Sequence, residues 1–203
     1  RNSKLLLDNG YVGDILLTNF NLGLLTKSNS LGTITSDLHI EGVGFTKESL
    51  NTEITGTITS FIFEEYDYQN ISLTGNLEYP LFDGELTIDD PNVKLDFKGL
   101  IDVSKELNQF DFEADVQFAE LHQLNLVKRD SISVFAGKIN MKMEGNSLDN
   151  TQGSISFNQT FYQNEKTDYY FDDFNITTQN EGLKRSIKIN SPDIITGSIT
   201  GEF

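Results

Sequence analysis

The sequence predicts an all-β fold: an elongated, curved antiparallel sheet with an open groove (a β-taco), built from repeated units with very short helical connectors. Three observations predict it. Apolar and polar residues alternate along most of the chain, turn residues separate the alternating runs, and the sequence resembles itself about one hundred residues apart. Alternation with a period of two is typical of strands that bury one face and expose the other.

The alternation is clearest in segments 93–98, 110–118 and 139–144, where every second residue is Val, Leu, Ile, Phe, Met or Ala. Shorter runs with the same period follow around Ile155, Phe174 and Ile187. Gly, Asn and Asp punctuate the chain at 82–84, 89–92 and 145–147, which predicts turns there. We therefore expect roughly ten to twelve strands, of about six to eight residues each, in a sheet ~20–26 Å across.

Helical segments are scarce. Residues 21–27, 46–50 and 119–127 can each form one or two turns, but all are shorter than the ~12 residues that an isolated helix needs. We interpret them as connectors between strands.

An internal repeat runs through the chain in a constant order. The segment that begins at Phe20 is echoed at Phe118, Gly32-Thr33-Ile34 at Gly137-Lys138-Ile139, and Gly56-Thr57-Ile58 at Gly153-Ser154-Ile155. The aromatic run from Tyr66 to Leu73 is echoed from Tyr169 to Ile176. Ordered repetition of this kind is typical of stacked β-units that extend one sheet. We therefore predict one continuous domain over 1–203, as a segment of a larger protein, with repeats at approximately 20–117 and 118–203.

Composition and motifs argue against several classes of function. The formal net charge is -16, with 15 basic and 31 acidic residues, so the chain lacks the basic surface that nucleic acid requires. It has no cysteine, no nucleotide-binding glycine loop and no G-x-S-x-G nucleophile motif. His39 and His122 are the only histidines, and neither belongs to a metal-binding or catalytic motif. We predict no catalytic, cofactor or metal site, and no enzyme activity.

Acidic groups at 64–67, 89–92 and 172–173 lack the regular D-x-D-x-D-G spacing of a calcium loop. Calcium or glycan binding by an extracellular β-sandwich or solenoid stays as the alternative interpretation. In that alternative the apolar faces simply pack on protein, as in most all-β domains.

Several motifs carry a resemblance to a known family. They are the run from Tyr66 to Gly75, with aromatic and glycine residues at fixed steps, followed by Phe82-x-Gly84, Asp90-Pro91-Asn92 and Phe97-x-Gly99. Segments 118–126, 145–149 and 189–193 and the closing 197–203 fit the same pattern. Over roughly residues 14–203 the chain resembles the Bacteroidetes-type TamB branch of the AsmA-like family of bridge-like lipid-transfer proteins.

The resemblance implies a periplasmic protein anchored in the inner membrane outside this segment. Its apolar trough would shield phospholipid acyl chains on their way toward the outer membrane. An outer-membrane barrel of the assembly-factor type would be its partner, through parts of the parent protein beyond these 203 residues. The repeat and this resemblance favour an open trough over a closed sandwich.

The expected groove residues are those with apolar parity along the predicted strands, acting together as one surface. They are Ile34, Leu38, Ile40, Ile58, Ile71, Leu73, Leu86, Ile88, Leu95, Phe97, Phe112, Val116, Ile139, Met141, Met143, Ile155, Phe157, Phe174, Ile176, Ile187 and Ile189. Gly75, Gly99, Gly197 and Gly201 share this parity, and we expect them to allow curvature and to leave room for a guest.

Overall fold

A computed structural model describes residues 10–44, 46, 49–78, 80–103, 106–147, 150–182 and 184–201. These residues form twelve strands and one short helix. The strands are β1 Gly10–Asn21, β2 Leu31–Val43, β3 Asn51–Phe63, β4 Tyr66–Glu78, β5 Leu81–Asp90, β6 Val93–Asp102, β7 Gln109–Glu120, β8 Ser133–Glu144, β9 Gln152–Asn164, β10 Asp168–Glu181, β11 Lys184–Ser191 and β12 Ile195–Gly201, and the helix is α1 Leu22–Thr26.

The strands form one sheet whose spatial order is the chain order, from β1 at one edge to β12 at the other. Every neighbouring pair is antiparallel, and the two edge strands do not pair with each other, so the sheet is open. Extended contacts between described strands occur only between neighbours, so no second layer of strands covers either face. The all-β open-sheet prediction is therefore confirmed, and among the described strands there is no sandwich.

Surface area and burial agree with a single layer. The chain exposes 13217 Å², whereas a compact globular chain of its 22.8 kDa exposes about 9,600 Å². Only nine hydrophobic side chains are buried among the described residues. Most of the apolar surface therefore lies against solvent on one side.

Short connections explain the simple order of the strands. Glu64 and Glu65 join β3 to β4 with positive φ angles of 47° and 67°, the conformation of a type I′ hairpin turn. Between β5 and β6, the backbone N–H of Asn92 donates to the Asp90 carboxylate at 2.8 Å. The turn predicted at 82–84 is wrong, because these residues lie inside β5 and the chain reverses before Leu81.

The helical connectors were predicted with mixed success. Helix α1 falls within 21–27, where the Asn21 side chain accepts a hydrogen bond from the Leu24 N–H at 2.8 Å and Lys27 ends the helix in the left-handed conformation. Residues 119–127 contain turns but no helix, since Ala119 and Glu120 still belong to β7. In segment 46–50 the Leu50 N–H donates to the Thr46 carbonyl at 2.9 Å, and residues 45, 47 and 48 lie outside the described residues.

Ten of the twelve strands are longer than the six to eight residues expected from the sequence. They contain seven to fourteen residues, and β2, β3 and β4 each contain thirteen. Thirteen residues span about 43 Å, so the sheet is wider than the alternation alone indicated.

Bulges gather near the ends of the strands on one side of the sheet. Register shifts occur between Leu17 and Phe20 in β1, between Val116 and Ala119 in β7, and between Asn158 and Phe161 in β9, opposite Ala136 and Lys138. A bulge adds one residue to one strand and so changes which side chains share a face. Phe118, expected on the apolar face, instead stands opposite Lys94 on the polar side, and Ala119 takes the apolar position opposite Val93.

Candidate functional site

The register brings all 21 predicted groove residues onto one face of the sheet. Directly paired residues in antiparallel strands point to the same side, so each row of pairs can be followed across the sheet. One row is Leu73, Leu86, Phe97, Ala114, Ile139, Phe157 and Phe174. We call this side of the sheet the apolar face, and the side that carries the alternating residues the polar face.

The apolar face is only partly covered. Of the 21 predicted residues, Ile34, Leu38, Ile71 and Val116 are buried, and the other seventeen are partly exposed. Their shielding comes from side chains beside them on the same face, such as Phe97 and Phe112, whose ring centroids are 5.1 Å apart. Partial exposure of so many neighbouring apolar side chains marks a surface that can still contact an apolar ligand.

Sequence reasoning missed several members of this face. Phe61, Leu77, Phe82, Ile101 and Phe110 lie in its rows by strand pairing. Phe110 shared the alternation of its strand, but Phe82 was assigned to a turn. Only the pairing of β5 with its neighbours shows that Phe82 stands beside Leu77 and Ile101.

The polar face differs sharply in charge. Cross-strand ion pairs join Lys94 to Asp89 and Lys98 to Glu85 at 2.8 Å, and Lys142 to Asp111 at 3.0 Å. All six side chains are more than half exposed, so each pair adds little to stability. These exposed charges show which face of the sheet favours contact with water. A nonpolar ligand would therefore contact the opposite face.

One margin of the apolar face is closed by the loop 121–132, which joins β7 to β8 and which we call the rim loop. Leu124 is 1 % exposed and packs with Tyr68, Ile71, Val93 and Val116 of the apolar face. The Asn125 side chain reaches across to the β3–β4 turn, where its Nδ2 donates to the Glu64 carbonyl at 2.9 Å. The loop therefore covers this margin between β7 and β3.

A buried polar cluster supports the covered margin. Asp90 is 2 % exposed and accepts hydrogen bonds from the Tyr66 hydroxyl at 2.5 Å, the Gln69 N–H at 2.9 Å and the Asn92 N–H at 2.8 Å. Burial, together with the hydrogen bond to Asp90, raises the pKa of Tyr66 to about 12. Burial and the charge of Asp90 also raise the pKa of Tyr68. With its hydrogen bonds satisfied in this way, Asp90 has a structural role.

The glycines of the apolar face bring strands together rather than leave room for a guest. A Cβ atom on Gly99, which has φ of 144°, would lie 2.3 Å from the Asp111 carbonyl oxygen and 2.5 Å from the Phe112 Cα. A Cβ on Gly75 would lie 2.7 Å from the Gly84 Cα. The expectation of spare space is therefore wrong at these positions, whereas a Cβ on Gly197 would meet nothing within 4 Å.

One cavity of the described residues does not coincide with the predicted groove. It has a volume of about 1050 Å³ and lies toward the other ends of the strands, and Met143 is its one predicted groove residue. Most of its lining belongs to the polar face, including Asp83, Asp111 and Lys142, of which the last two are paired with each other. The charged residues of the cavity pair with each other, whereas many apolar side chains of the apolar face are only partly covered. We therefore take the apolar face as the candidate site.

The residues considered for other chemistry lie apart from one another. His39 contacts Asp14 on the polar face, with 2.7 Å between Nδ1 and Oδ1, and the His122 Nδ1 lies 3.2 Å from the Val127 carbonyl within the rim loop. Asp89 pairs with Lys94, and Asp90 serves the cluster described above. In the part of the chain that the structure describes, no three His, Cys, Asp or Glu side chains are grouped so that they could hold a metal ion.

Comparisons with known proteins add no relative: no family model, no curated protein and no solved structure matches the chain. None of the helices in the described ranges has the length and apolar composition needed to cross a membrane.

Proposed function

We propose that this chain is a length of a lipid-transfer conduit, in which the apolar face shields phospholipid acyl chains. The observation that carries the proposal is the combination of a continuous apolar face with the absence, among the described strands, of a second layer above it. Each acyl methylene that moves from water onto such a surface contributes up to about 0.8 kcal/mol. Lipid tails thus supply the hydrocarbon contacts that a packing sheet supplies in a sandwich.

The form of the site favours a chain-like apolar ligand over a compact one. Twelve strands at a spacing of about 4.8 Å extend some 53 Å along the sheet, and apolar rows follow this direction. The rim loop covers only one margin of the described face. On such a surface the binding free energy depends on the apolar area in contact and not on one fixed position. This suits the passage of lipids along it.

The resemblance to the TamB branch of the AsmA-like family extends the proposal to a cellular setting. The parent protein would be anchored in the inner membrane and span the periplasm. An outer-membrane assembly-factor-type barrel would meet parts of the parent outside these 203 residues. Phospholipid would move toward the outer membrane along the trough.

Native mass spectrometry of the purified chain, with lipid extraction from the same sample, tests the proposal. We expect bound phospholipid in the wild type and its loss in Phe112→Asp, because Phe112 lies centrally between Gly99 and Met141 and an unpaired carboxylate there repels hydrocarbon. Leu95→Asp should act in the same way but with a greater loss of stability, since Leu95 also packs against the buried cluster.

Ser154→Asp is the matched control, because it adds the same charge at an exposed position of the polar face, opposite Lys142. It should retain lipid at the wild-type ratio. If the wild type carries no lipid and takes up none from added phosphatidylethanolamine vesicles, the conduit proposal is wrong, and the adhesive-module alternative gains. Equal binding by the wild type and all three variants would mean that lipid binds elsewhere.

A further inference from the structure

The rim loop is longer than its place in the sheet requires. It joins β7 to β8, and Glu120 and Val134, beside its two ends, are paired directly with each other. Neighbouring antiparallel strands are usually joined by two to five residues, as Glu64 and Glu65 join β3 to β4. The rim loop uses all of 121–132 and contains turns but no helix or strand. Loops of this length are commonly lids or binding loops.

The extra residues lie over part of the candidate site. Leu124 packs with Ile71 and Val116, which both belong to the predicted groove. Ile88 and Leu95, also predicted groove residues, pack against the same cluster. The rim loop and an acyl chain would therefore use the same hydrocarbon surface.

The rim loop is attached differently at its base and at its tip, residues 122–127. At the base, the Leu121 N–H donates to the Ser133 carbonyl at 2.7 Å, which ties the loop to the start of β8. At the tip, the Asn125 side chain donates to the Glu64 carbonyl at 2.9 Å. Water can replace this hydrogen bond, and another hydrocarbon can replace the contacts of Leu124, without the loss of any bond between strands. The base is therefore the fixed part of the loop and the tip the exchangeable part.

We propose that the tip of the rim loop is a displaceable cover, and that a bound acyl chain takes the place of Leu124 against Ile71 and Val116. This inference rests on the proposed function, because lipid is the competitor. A phospholipid acyl chain has several times as many carbon atoms as a leucine side chain, so it can bury more apolar area than the group it replaces. Without lipid, the cover keeps this part of the apolar face out of water, which reduces the exposed apolar patch of the empty protein.

Competition predicts that a weaker cover gives tighter lipid binding. When the covered state predominates, the apparent Kd is the intrinsic Kd divided by the uncovered fraction. Leu124→Ala removes three methylene equivalents, which raises the ratio of uncovered to covered protein by up to roughly 50-fold. The apparent Kd for phosphatidylethanolamine vesicles, measured by flotation, should fall by up to the same factor. Leu126→Ala is the control, because Leu126 is on the same loop but 50 % exposed, and it should change the Kd by less than about twofold.

A second variant weakens the tip without removing a buried side chain. Asn125 has φ of 61°, a conformation that glycine adopts without strain. Asn125→Gly therefore deletes the hydrogen bond to Glu64 and keeps the backbone of the loop. The apparent Kd should fall by about fivefold, as expected for one net hydrogen bond. Circular dichroism identical to that of the wild type would show that the variant is folded.

Thiol labelling shows whether the cover moves. The chain has no cysteine of its own, so Leu124→Cys and Ala119→Cys each place a single thiol in the same buried cluster, one on the rim loop and one on β7. Added lipid should speed the reaction of Leu124→Cys with N-ethylmaleimide, because the side chain leaves the sheet. Ala119→Cys should stay slow, since β7 remains in place and hydrocarbon still covers it. Faster labelling at both positions would mean that lipid unfolds the protein, and it would overturn the proposal.

The outcomes separate this inference from the proposed function. If the wild type binds lipid, but neither Leu124→Ala nor Asn125→Gly binds it more tightly and the thiol at position 124 stays protected, the conduit proposal stands and the displaceable cover is wrong. Lipid binding by the two weakened variants but not by the wild type would support both proposals. If none of the three proteins binds lipid, both proposals are wrong.

Discussion

Leu124 has the lowest exposure of any hydrophobic side chain in the described residues, 1 %, although it lies in a loop. Its partners are residues of the apolar face, including Ile71, Val93 and Val116. Replacing it by alanine therefore tests whether the rim loop is anchored to the sheet by hydrocarbon contact.

The magnitude follows from what the substitution removes. Leu124→Ala deletes three carbon atoms, equivalent to three methylenes at about 0.8 kcal/mol each, or about 2.4 kcal/mol of transfer free energy. A cavity that does not collapse adds to this, within the range of about 2–5 kcal/mol seen for buried Leu→Ala changes. We expect a value near the lower end, because the rim loop lies over an open sheet and can settle into the vacated space.

Urea unfolding followed by tyrosine fluorescence measures the effect, since the chain has seven tyrosines and no tryptophan. Hydrogen exchange of the amides in 121–127 reports local opening of the rim loop, which can absorb part of the loss. Leu126→Ala is the control on the same loop, because Leu126 is 50 % exposed and should change stability by less than about 0.5 kcal/mol. If Leu124→Ala left both the midpoint and the exchange rates as in the wild type, the rim loop would not be anchored as described.

Two further predictions concern residues of the sheet itself. The folded state raises the pKa of Tyr66 to about 12, from about 10 in an unfolded chain. Folding therefore favours the protonated phenol. The resulting stabilisation is complete below about pH 10 and is lost as the pH rises toward 12. The urea midpoint should fall over that interval in the wild type and fall less in Tyr66→Phe, and equal falls would contradict the role given to burial and Asp90. Gly99→Ala should destabilise by about 1–3 kcal/mol or more, from strain at positive φ and collision with the Asp111 carbonyl. Gly197→Ala, with open space around it, should be close to neutral in the same thermal or urea assay, and similar losses in both would refute the steric explanation.

The sequence was sufficient to predict the fold and many, but not all, members of the apolar face. Alternation requires only that neighbouring residues point to opposite sides of a strand, so residues such as Phe97 and Ile155 could be assigned from the pattern alone. Part of the strand order also follows from local information, because the short β3–β4 and β5–β6 turns can join only adjacent antiparallel strands.

Bulges limit this reasoning, because one added residue reverses the parity of everything after it. The alternation of 110–118 is unbroken in the sequence, yet Phe118 stands opposite Lys94. In β4, Tyr68 and Ile71 are three residues apart and both are buried, since Asn70 between them has φ of 52°. The three-residue step was visible in the aromatic repeat, but the backbone conformation that produces it was not.

Contacts between segments that are distant in the chain could not be predicted from the sequence either. The rim loop contains a short apolar pattern that suggested helical turns, and nothing local indicates that Asn125 reaches Glu64. The cavity near Met143 combines residues from several strands, so its location depends on the shape of the whole sheet. Such features follow from strand pairing and sheet curvature, which single-chain periodicity does not encode.

A single-layer sheet leaves its apolar face without hydrocarbon contacts from a second layer of strands, among the described residues. The proposed function assigns those contacts to lipid tails. Phe112→Asp should therefore remove lipid, whereas Ser154→Asp, on the polar face opposite Lys142, should retain it. Loss of lipid from both variants would show that the added charge itself, and not its position on the apolar face, decides binding.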